Sequence, residues 1–480
     1  MHFMQKIRAA LPFRRKKAYF IGIAGAGMSA TAQLLKTLGW EVSGSDEGAY
    51  PPITTYLEQH HIPYAKTHSK NNVPRDADLI VVGKHAGLTK EENEEVAYVY
   101  DNNFTIRSFP EVLQDLTKRT HNLICAGSYG KSTCAGMAAW CLMEQDPSFF
   151  IGALPYNLAT NARSGKGDLF ILEGDEYPAA NTDPISKFFY YNAIDLLITS
   201  LEHDHLNVFP TQEAYTAPFL QLIDTLPSDG LLIVSGEDEQ MQETLPTIQR
   251  PVITYGASPE YKTDWYADAI VYGVETSFDL CHTGKTITSL TTPLLGRHNI
   301  ENIVGVSALL LERKLITPEV LQERIRTFTG LRRRLDKKTE KSSVLLYEGF
   351  GSSHGKALSA LAAMKTHFPD KRLLVVFEPH SLSWRRKEYV DRYQGLFDGA
   401  EKVFVYLDAV PAPQDDTTVA GEAILTHITD GGADAVQLRN DLSPLLTEIK
   451  EGDLILCLSS GDLGGLLPTL TETLETQFPV

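Results

Sequence analysis

Short apolar runs alternate along this chain with longer stretches in which apolar positions recur at helical spacing. That is the pattern of mainly parallel sheets joined by crossover helices. Three such blocks follow one another. In the first, 18–23 reads as a strand, Met28–Leu38 as a helix, and Glu41–Ser43 and Leu79–Val82 as further strands. In the second, a strand at Asn122–Ala126 runs through a glycine turn into a helix at Lys131–Met143, and strands at Leu169–Leu172 and Leu196–Thr199 follow. In the third, Val344–Tyr347, Arg372–Phe377, Lys402–Tyr406 and Asp453–Leu458 alternate with helical stretches such as Lys356–Thr366. Breaks near Arg107–Leu116 and Thr327–Arg332 divide the chain into 1–113, 114–330 and 331–480. The expected fold class is α/β in three domains.

Length agrees, since 480 residues exceed one ordinary core and a domain takes roughly 100–200. Forty-four Lys and Arg against 61 Asp and Glu leave a net charge of −17. A field of that sign repels nucleic acid and anionic lipid, so neither is expected as a partner. No apolar run approaches the ~18 residues of a membrane span, and no integral membrane association is expected. Five cysteines lie scattered without C-x-x-C spacing, which points to a reducing compartment and a cytoplasmic location. The leader Met1–Lys17 carries Lys6, Arg8, Arg14, Arg15, Lys16 and Lys17 and no acid. Pro12 interrupts it and it lacks a signal-peptide core, so it reads as a solvated leader, with a membrane-surface role as the alternative. Nothing in the pattern sets an oligomeric state.

The most informative segment is Leu123-Ile-Cys-Ala-Gly127-Ser-Tyr-Gly130-Lys131-Ser132-Thr133. An apolar strand enters a glycine turn that opens a helix, and backbone N–H groups at such a turn cradle phosphate oxygens. Lys131 is placed to reach the outer phosphates and Ser132 to ligate Mg²⁺. The loop is a shorter variant of the usual one, with Cys125 where the first glycine ordinarily stands. Carboxylates are then needed at neighbouring strand ends. Glu173-Gly-Asp175-Glu176 and Glu202-His203-Asp204-His205 supply two clusters, the second with imidazoles. The alternative for Asp175 and Glu176 is a solvated loop cap.

Taken in order, Gly22-Ile-Ala-Gly25-Ala-Gly27-Met28, Ser43-Gly44-Ser45-Asp46, the phosphate loop, Glu173-Gly-Asp175-Glu176, Asp204-His205, Gly296-Arg297-His298-Asn299 with Asn302, and Arg332-Arg333-Arg334 resemble the Mur ligases. These are the ATP-dependent amide-forming enzymes of peptidoglycan synthesis. The resemblance runs from about residue 18 to the C-terminus. It implies an N-terminal Rossmann-like domain for a UDP-sugar, a central P-loop ATPase domain and a C-terminal Rossmann-like domain for the incoming amine. Tyr50-Pro51-Pro52, Asp175-Glu176-Tyr177, Ser186-Lys187-Phe188 and Phe377-Glu378-Pro379 are most similar to the branch that joins UDP-N-acetylmuramate to L-Ala-γ-D-Glu-meso-diaminopimelate. The branch that adds L-alanine is a close relative.

The resemblance further implies ATP at Gly127, Ser128, Gly130, Lys131, Ser132 and Thr133, with adenine at His298, Asn299 and Asn302. It implies Mg²⁺ at Ser132, Glu173 and His205, and Arg333 or Arg334 reaching the phosphates from the hinge. The UDP-sugar falls to Gly25, Ala26, Gly27, Met28, Ser45 and Asp46, with Lys187 orienting it. Without the resemblance, Gly22-x-x-Gly25-x-Gly27 reverses the dinucleotide spacing, and Asp46 leaves a nicotinamide dinucleotide as the generic alternative. His380 and Arg385 fall at amine-side positions, near a late glycine turn at Ser459-Ser460-Gly461-Asp462.

The chain also departs from the family. Ser128 and Tyr129 stand where the loop usually has Thr and His, and Ser200 where Asn is common. Tyr347-Glu348-Gly349-Phe350-Gly351-Ser352-Ser353-His354 replaces Asp-Asp-aromatic-small-His-His-Pro. With one carboxylate and both histidines gone, a nucleotide-binding protein derived from the ligase is the second expectation.

Overall fold

The computed structural model describes residues 14–49, 53–205, 208–408, 410, 412–413 and 417–480. Tyr50-Pro51-Pro52 and most of the basic leader lie outside them. At the leader's end, Arg14 Nη1 is 2.8 Å from Asp76 Oδ2, and Lys17 Nζ pairs with Asp76 at 3.0 Å. These two basic residues are therefore matched to acids on the first sheet's margin.

The first sheet has five parallel strands, β1 (Lys17–Ile21), β2 (Glu41–Ser45), β3 (Tyr64–Ala65), β4 (Leu79–Val82) and β5 (Ile106–Arg107), in the order β3-β2-β1-β4-β5. Its central strands are apolar without alternation because both faces are covered, by one cluster around Phe20 and Val81 and another around Tyr19 and Ile80. The order reverses direction between β1 and β4. Glycine turn 22–27 leaves the end of β1 there, where ligands bind in open α/β sheets.

The second sheet has ten strands. Six, β6 (His121–Ala126), β7 (Ser148–Phe150), β9 (Leu169–Gly174), β12 (Asp195–Ile198), β13 (Leu232–Ser235) and β14 (Ile253–Gly256), run parallel. The short β8 (Ala162–Arg163) closes one edge, and β10 (Pro178–Ala180) with β11 (Asp183–Ser186) forms a separate hairpin. At the other edge β15 (Trp265–Val271) joins β14 in parallel and continues into an antiparallel meander with β16 (Thr276–His282) and β17 (Lys285–Thr292). Thr283 and Gly284, both at positive φ, turn the chain between β16 and β17. Helices Lys131–Cys141 and Arg297–Glu312 cover one face. The other face packs on Ala30, Leu34 and Leu113, which ties the first unit to the second.

The third sheet is β18 (Arg334–Lys337), β19 (Leu345–Gly349), β20 (Leu373–Glu378), β21 (Lys402–Tyr406), β22 (Ala435–Leu438) and β23 (Leu454–Ser459), ordered β18-β19-β23-β20-β21-β22. Among these described strands only β18, which begins at the last residue of the arginine run, is antiparallel to its neighbour. The fold is thus α/β with mainly parallel sheets. The five cysteines are buried and unpaired, as small apolar side chains.

Candidate active site

The chain leaves β6 into the phosphate loop. Gly127 has φ +127° and Gly130 φ +84°, and a Cβ on either would collide, with Thr199 and Ser200 or with Asn302 respectively. The loop is clamped from β12: the Ser128 N–H donates to Ser200 O at 2.9 Å, and Thr199 Oγ1 donates to Ala126 O at 3.1 Å. Gly130 caps the helix that begins at Lys131, so the first-turn N–H groups of that helix remain open to an anion.

Strand register brings carboxylates to this turn. Glu173, at the end of β9, stands beside Cys125 of β6. Burial raises its carboxyl's pKa, against Lys131, the Gly152 N–H at 2.6 Å and the Ser132 hydroxyl. Glu176 is fully buried and takes three partners, Lys131 Nζ at 3.2 Å, His205 Nε2 at 3.1 Å and the Tyr215 hydroxyl at 3.3 Å. Burial lowers the Lys131 pKa, but Glu176, Asp175 and Glu173 outweigh it, so the ammonium is held more firmly charged than a free lysine.

A cavity of about 490 Å³ opens over this loop. Ser128, Gly130, Lys131, Ser132 and Thr133 form its floor, with Glu173 and His205 on one side. His298, Asn299 and Asn302, on one helix after the positive-φ Gly296, also line it, Asn302 directly against Gly130, and Arg334 enters from the third unit. Burial holds the His298 imidazole down to about 4, with His367 pushing the same way. Burial lifts the Glu301 carboxyl to about 7, with Glu237 adding to the effect. Glu237, Asp238, Tyr261 and Glu301 also line this cavity and were missed from sequence, while Arg297 belongs to the Gly296-Arg297-His298-Asn299 motif without having been given a role there. Glu237 and Asp238 follow β13 and Tyr261 follows β14, where no local motif marks them, while Glu301 shares the helix of His298 and Asn302.

A larger cavity, about 1190 Å³, lies at the crevice between β1 and β4. Gly25, Ala26, Gly27, Met28 and Asp46 line it, with Lys187 and Asp175 from the second unit. Asp46 accepts the Ala24 N–H at 2.8 Å, and Lys187 Nζ is 2.6 Å from Asp175 Oδ2. His68, Lys84 and His85 also line it. The run Gly83-Lys84-His85 directly after β4 was the signal available for two of them. Glu173 lines both cavities, so the two adjoin at one carboxylate.

Two family descriptions match, "Mur ligase family, catalytic domain" over residues 17–121 and "Mur ligase middle domain" over residues 125–310. A UDP-N-acetylmuramate–L-alanine ligase of Desulforapulum autotrophicum is 30% identical over 465 residues, covering 95% of this chain and 98% of its own. This chain belongs to the Mur ligase family. A UDP-N-acetylmuramate–L-alanyl-gamma-D-glutamyl-meso-2,6-diaminoheptandioate ligase of Haemophilus influenzae is 26% identical, covering 96% and 99%. In fold, the UDP-N-acetylmuramate-alanine ligase of Thermotoga maritima superposes with a TM-score of 0.79 at 22% identity, covering 96% of this chain and 99% of that one. The Mur ligases are ATP-dependent amide-bond-forming enzymes, and this one is built on their three domains.

Several expected site residues of this Mur ligase stand elsewhere. Ser45 is fully buried, and its hydroxyl is held by Glu95 and by His68 Nδ1 at 3.0 Å, so it supports the second cavity through His68 instead of lining it. Gly127 sits behind the loop against Thr199 and is not among the lining residues. Arg333 and Arg334 part company. Arg334 lines the cavity over the loop and lies over the Phe350 ring, 4.6 Å from its centre. Arg333 lies over the same ring, 5.3 Å from its centre, but is not among the lining residues, with Nε 2.8 Å from Glu348 Oε1 and Nη2 bonded to the Ser459 and Gly461 carbonyls.

His380 and Arg385 line neither cavity. His380 lies beside Glu378, with Nδ1 3.5 Å from Oε1, while Arg385 is 5% exposed within the third unit. The late glycine turn wraps the same buried Glu378, which accepts the Leu463 N–H at 3.1 Å. The retained Glu348 is paired with Lys338 at 2.9 Å as well as with Arg333, which leaves Gly349 and Phe350 as that segment's contribution to the cavity.

The donors at the loop fit Mg²⁺ in one way. Among the described residues no group of three or more His, Cys, Asp or Glu forms a metal cage. Ser132 and the buried Glu173 offer one hydroxyl and one carboxylate beside an open anion cradle. Magnesium commonly takes few protein ligands and completes its shell with substrate phosphates and water.

Proposed function

We propose that this Mur ligase joins the lactyl carboxylate of UDP-N-acetylmuramate to the amine of L-Ala-γ-D-Glu-meso-diaminopimelate. The observation that carries the reading is Glu173 as the common wall of the two cavities. A carboxylate bound on the sugar side then lies within reach of a triphosphate on the loop side.

On this reading residues 1–113 hold the UDP-sugar, 114–330 bind ATP and 331–480 present the amine. Gly25, Ala26, Gly27, Met28 and Asp46 hold the uridine diphosphate, and Lys187, fixed by Asp175, orients the sugar. His298, Asn299 and Asn302 take the adenine. The lactyl carboxylate oxygen forms a bond to the γ-phosphorus as the bond to the bridging oxygen breaks and ADP leaves. The amine then attacks the acyl carbon, loses a proton, and inorganic phosphate departs as the amide forms.

Two anions must meet in the first step, so the protein's task is neutralisation and positioning. Lys131 and Arg334 supply fixed positive charge to the cavity. Ser132 and Glu173 would hold one Mg²⁺ and His205 a second. When bound, the metal adds charge neutralisation at the phosphates. The nucleotide substrates assign the work to the cytoplasm, in the recycling of peptidoglycan peptides.

The tripeptide reading is supported by Asp175-Glu176-Tyr177, Ser186-Lys187-Phe188 and Phe377-Glu378-Pro379, and by likeness to the Haemophilus influenzae enzyme. The Desulforapulum autotrophicum relative, at 30% identity, favours L-alanine as the second reading. Phosphate release from ATP and UDP-N-acetylmuramate, measured side by side with tripeptide and with L-alanine, decides between them. Faster release with L-alanine overturns the tripeptide assignment. Tight nucleotide binding with no release under either amine replaces the ligase by a binding protein derived from it.

A further inference from the structure

Two departures from the family pattern meet at one side chain. Tyr129 stands in the phosphate loop where the family has His, and Ser352 and Ser353 stand where it has a histidine pair. Lys356, the third residue of helix His354–His367, contacts the replacements from both places. Its Nζ lies 5.1 Å from the centre of the Tyr129 ring and 3.0 Å from Ser352 Oγ. Tyr129 is itself braced on the middle unit, its hydroxyl 3.4 Å from Glu202 Oε1.

Lys356 lines the nucleotide cavity together with Lys131 and Arg334. These three cations, from three separate elements, share the space with Arg297, which Glu237 pairs. Its carboxylate partner is Asp204, with Oδ2 3.4 Å from Nζ, longer than the roughly 2.7–2.9 Å of a close charge-assisted pair. Burial holds the Lys356 ammonium below its ordinary range despite Asp204, and Arg334 and Lys131 push in the same direction. Like charges gathered beside an anion cradle repel until an anion enters, and polyphosphate is the anion this cradle is shaped for.

We infer that Lys356 contacts the γ-phosphoryl group of ATP, replacing with an ammonium the donors that the altered histidine segment lacks. The inference rests on the ATP-dependent ligase reading and deepens it at the same site. The third unit thereby contributes a phosphate contact from a helix, in addition to Arg334 on β18.

Binding to the full-length protein tests this without any amine substrate. A non-hydrolysable ATP analogue with a γ-phosphoryl group and ADP are each titrated into wild type, Lys356→Met and Lys356→Arg by calorimetry. Lys356→Met should weaken the analogue about 10- to 100-fold, the cost of one hydrogen bond to a charged group, and leave ADP within about 2-fold, while Lys356→Arg recovers most of the loss. A lysine that merely ties the third unit to Asp204 would lower both affinities together, and that outcome overturns the inference, as does no change in either. Lys356→Gln, which still reaches Ser352, gives the same comparison should the Met variant not fold. Failure of wild type to bind either nucleotide would sink the functional reading itself. Binding without turnover would spare Lys356 and count against the ligase alone.

Discussion

Lys131 Nζ lies 3.2 Å from Glu176 Oε2, and the carboxylate has no exposure to solvent. The loop lysine is therefore already matched inside the protein, and on the proposed function a triphosphate competes with Glu176 for it. Lys131→Met should cut ATP-dependent phosphate release by about 10²-fold or more. It should also destabilise the fold by roughly 3 kcal/mol, because Glu176 loses its nearest full positive charge. Lys131→Met with Glu176→Gln should regain much of the stability and none of the turnover. Urea unfolding alongside a phosphate-release assay separates the two effects, and unchanged turnover in the single variant would contradict the assignment.

The neighbouring arginines should fail in different ways. Arg333 ties β19 to the late glycine turn through Glu348 and the Ser459 and Gly461 carbonyls, so Arg333→Ala should cost stability of about 1–3 kcal/mol. Arg334 faces the cavity with its pKa depressed by burial, so Arg334→Ala relieves a buried charge and should leave the unfolding midpoint nearly unchanged. Its loss should instead lower turnover by about 10²-fold. Equal effects of the two variants on both measurements would refute this division.

Gly130 combines a positive φ with the Asn302 side chain directly against it. Gly130→Ala adds strain on the order of 1–3 kcal/mol at the turn and displaces Asn302 from the cavity wall beside the loop. Weak nucleotide binding with a retained far-ultraviolet dichroism spectrum is the expected result. Wild-type affinity would mean that the turn does not shape the cradle.

The parallel strands were legible because burial on both faces leaves unbroken apolar runs, as at Leu169–Leu172 and Lys402–Tyr406, and the observed strands overlap or match those runs. The phosphate loop was legible because its chemistry is contiguous. The meander β15–β17 was not, since its strands alternate Phe278 and Leu280 inward with polar positions such as Ser277 outward, a weaker signal beside the apolar runs. Side-chain direction escaped the sequence altogether. Arg333 and Arg334 are adjacent in an arginine run, and Arg333 sits at φ +64° beside an irregularity in the β18–β19 register, which turns the two side chains to opposite duties. Ser45 and Asp46 divide in the same way, one into a buried network and one into the crevice.

Two groups in the nucleotide cavity should impose opposite pH dependences on stability. Glu301 rests at about 7 in the folded chain against an ordinary value of 4.5, so between those pH values the folded state keeps a proton that the unfolded chain has lost. Its contribution to stability therefore falls as pH rises through that window. His298 rests at about 4 against 6.5, so there the unfolded chain binds the extra proton and stability rises with pH. In wild type the two largely offset each other between about pH 4.5 and 6.5. Removing one exposes the other. Relative to wild type, Glu301→Gln should gain stability as pH rises from about 4.5 to 7, by up to about 3 kcal/mol, and His298→Asn should lose a similar amount from about 4 to 6.5. Urea midpoints collected at half-unit pH steps for all three proteins give these differences directly, since other titrating groups are common to each. Difference curves that are flat, or that slope the same way for both variants, would show that neither group is held in the cavity as described.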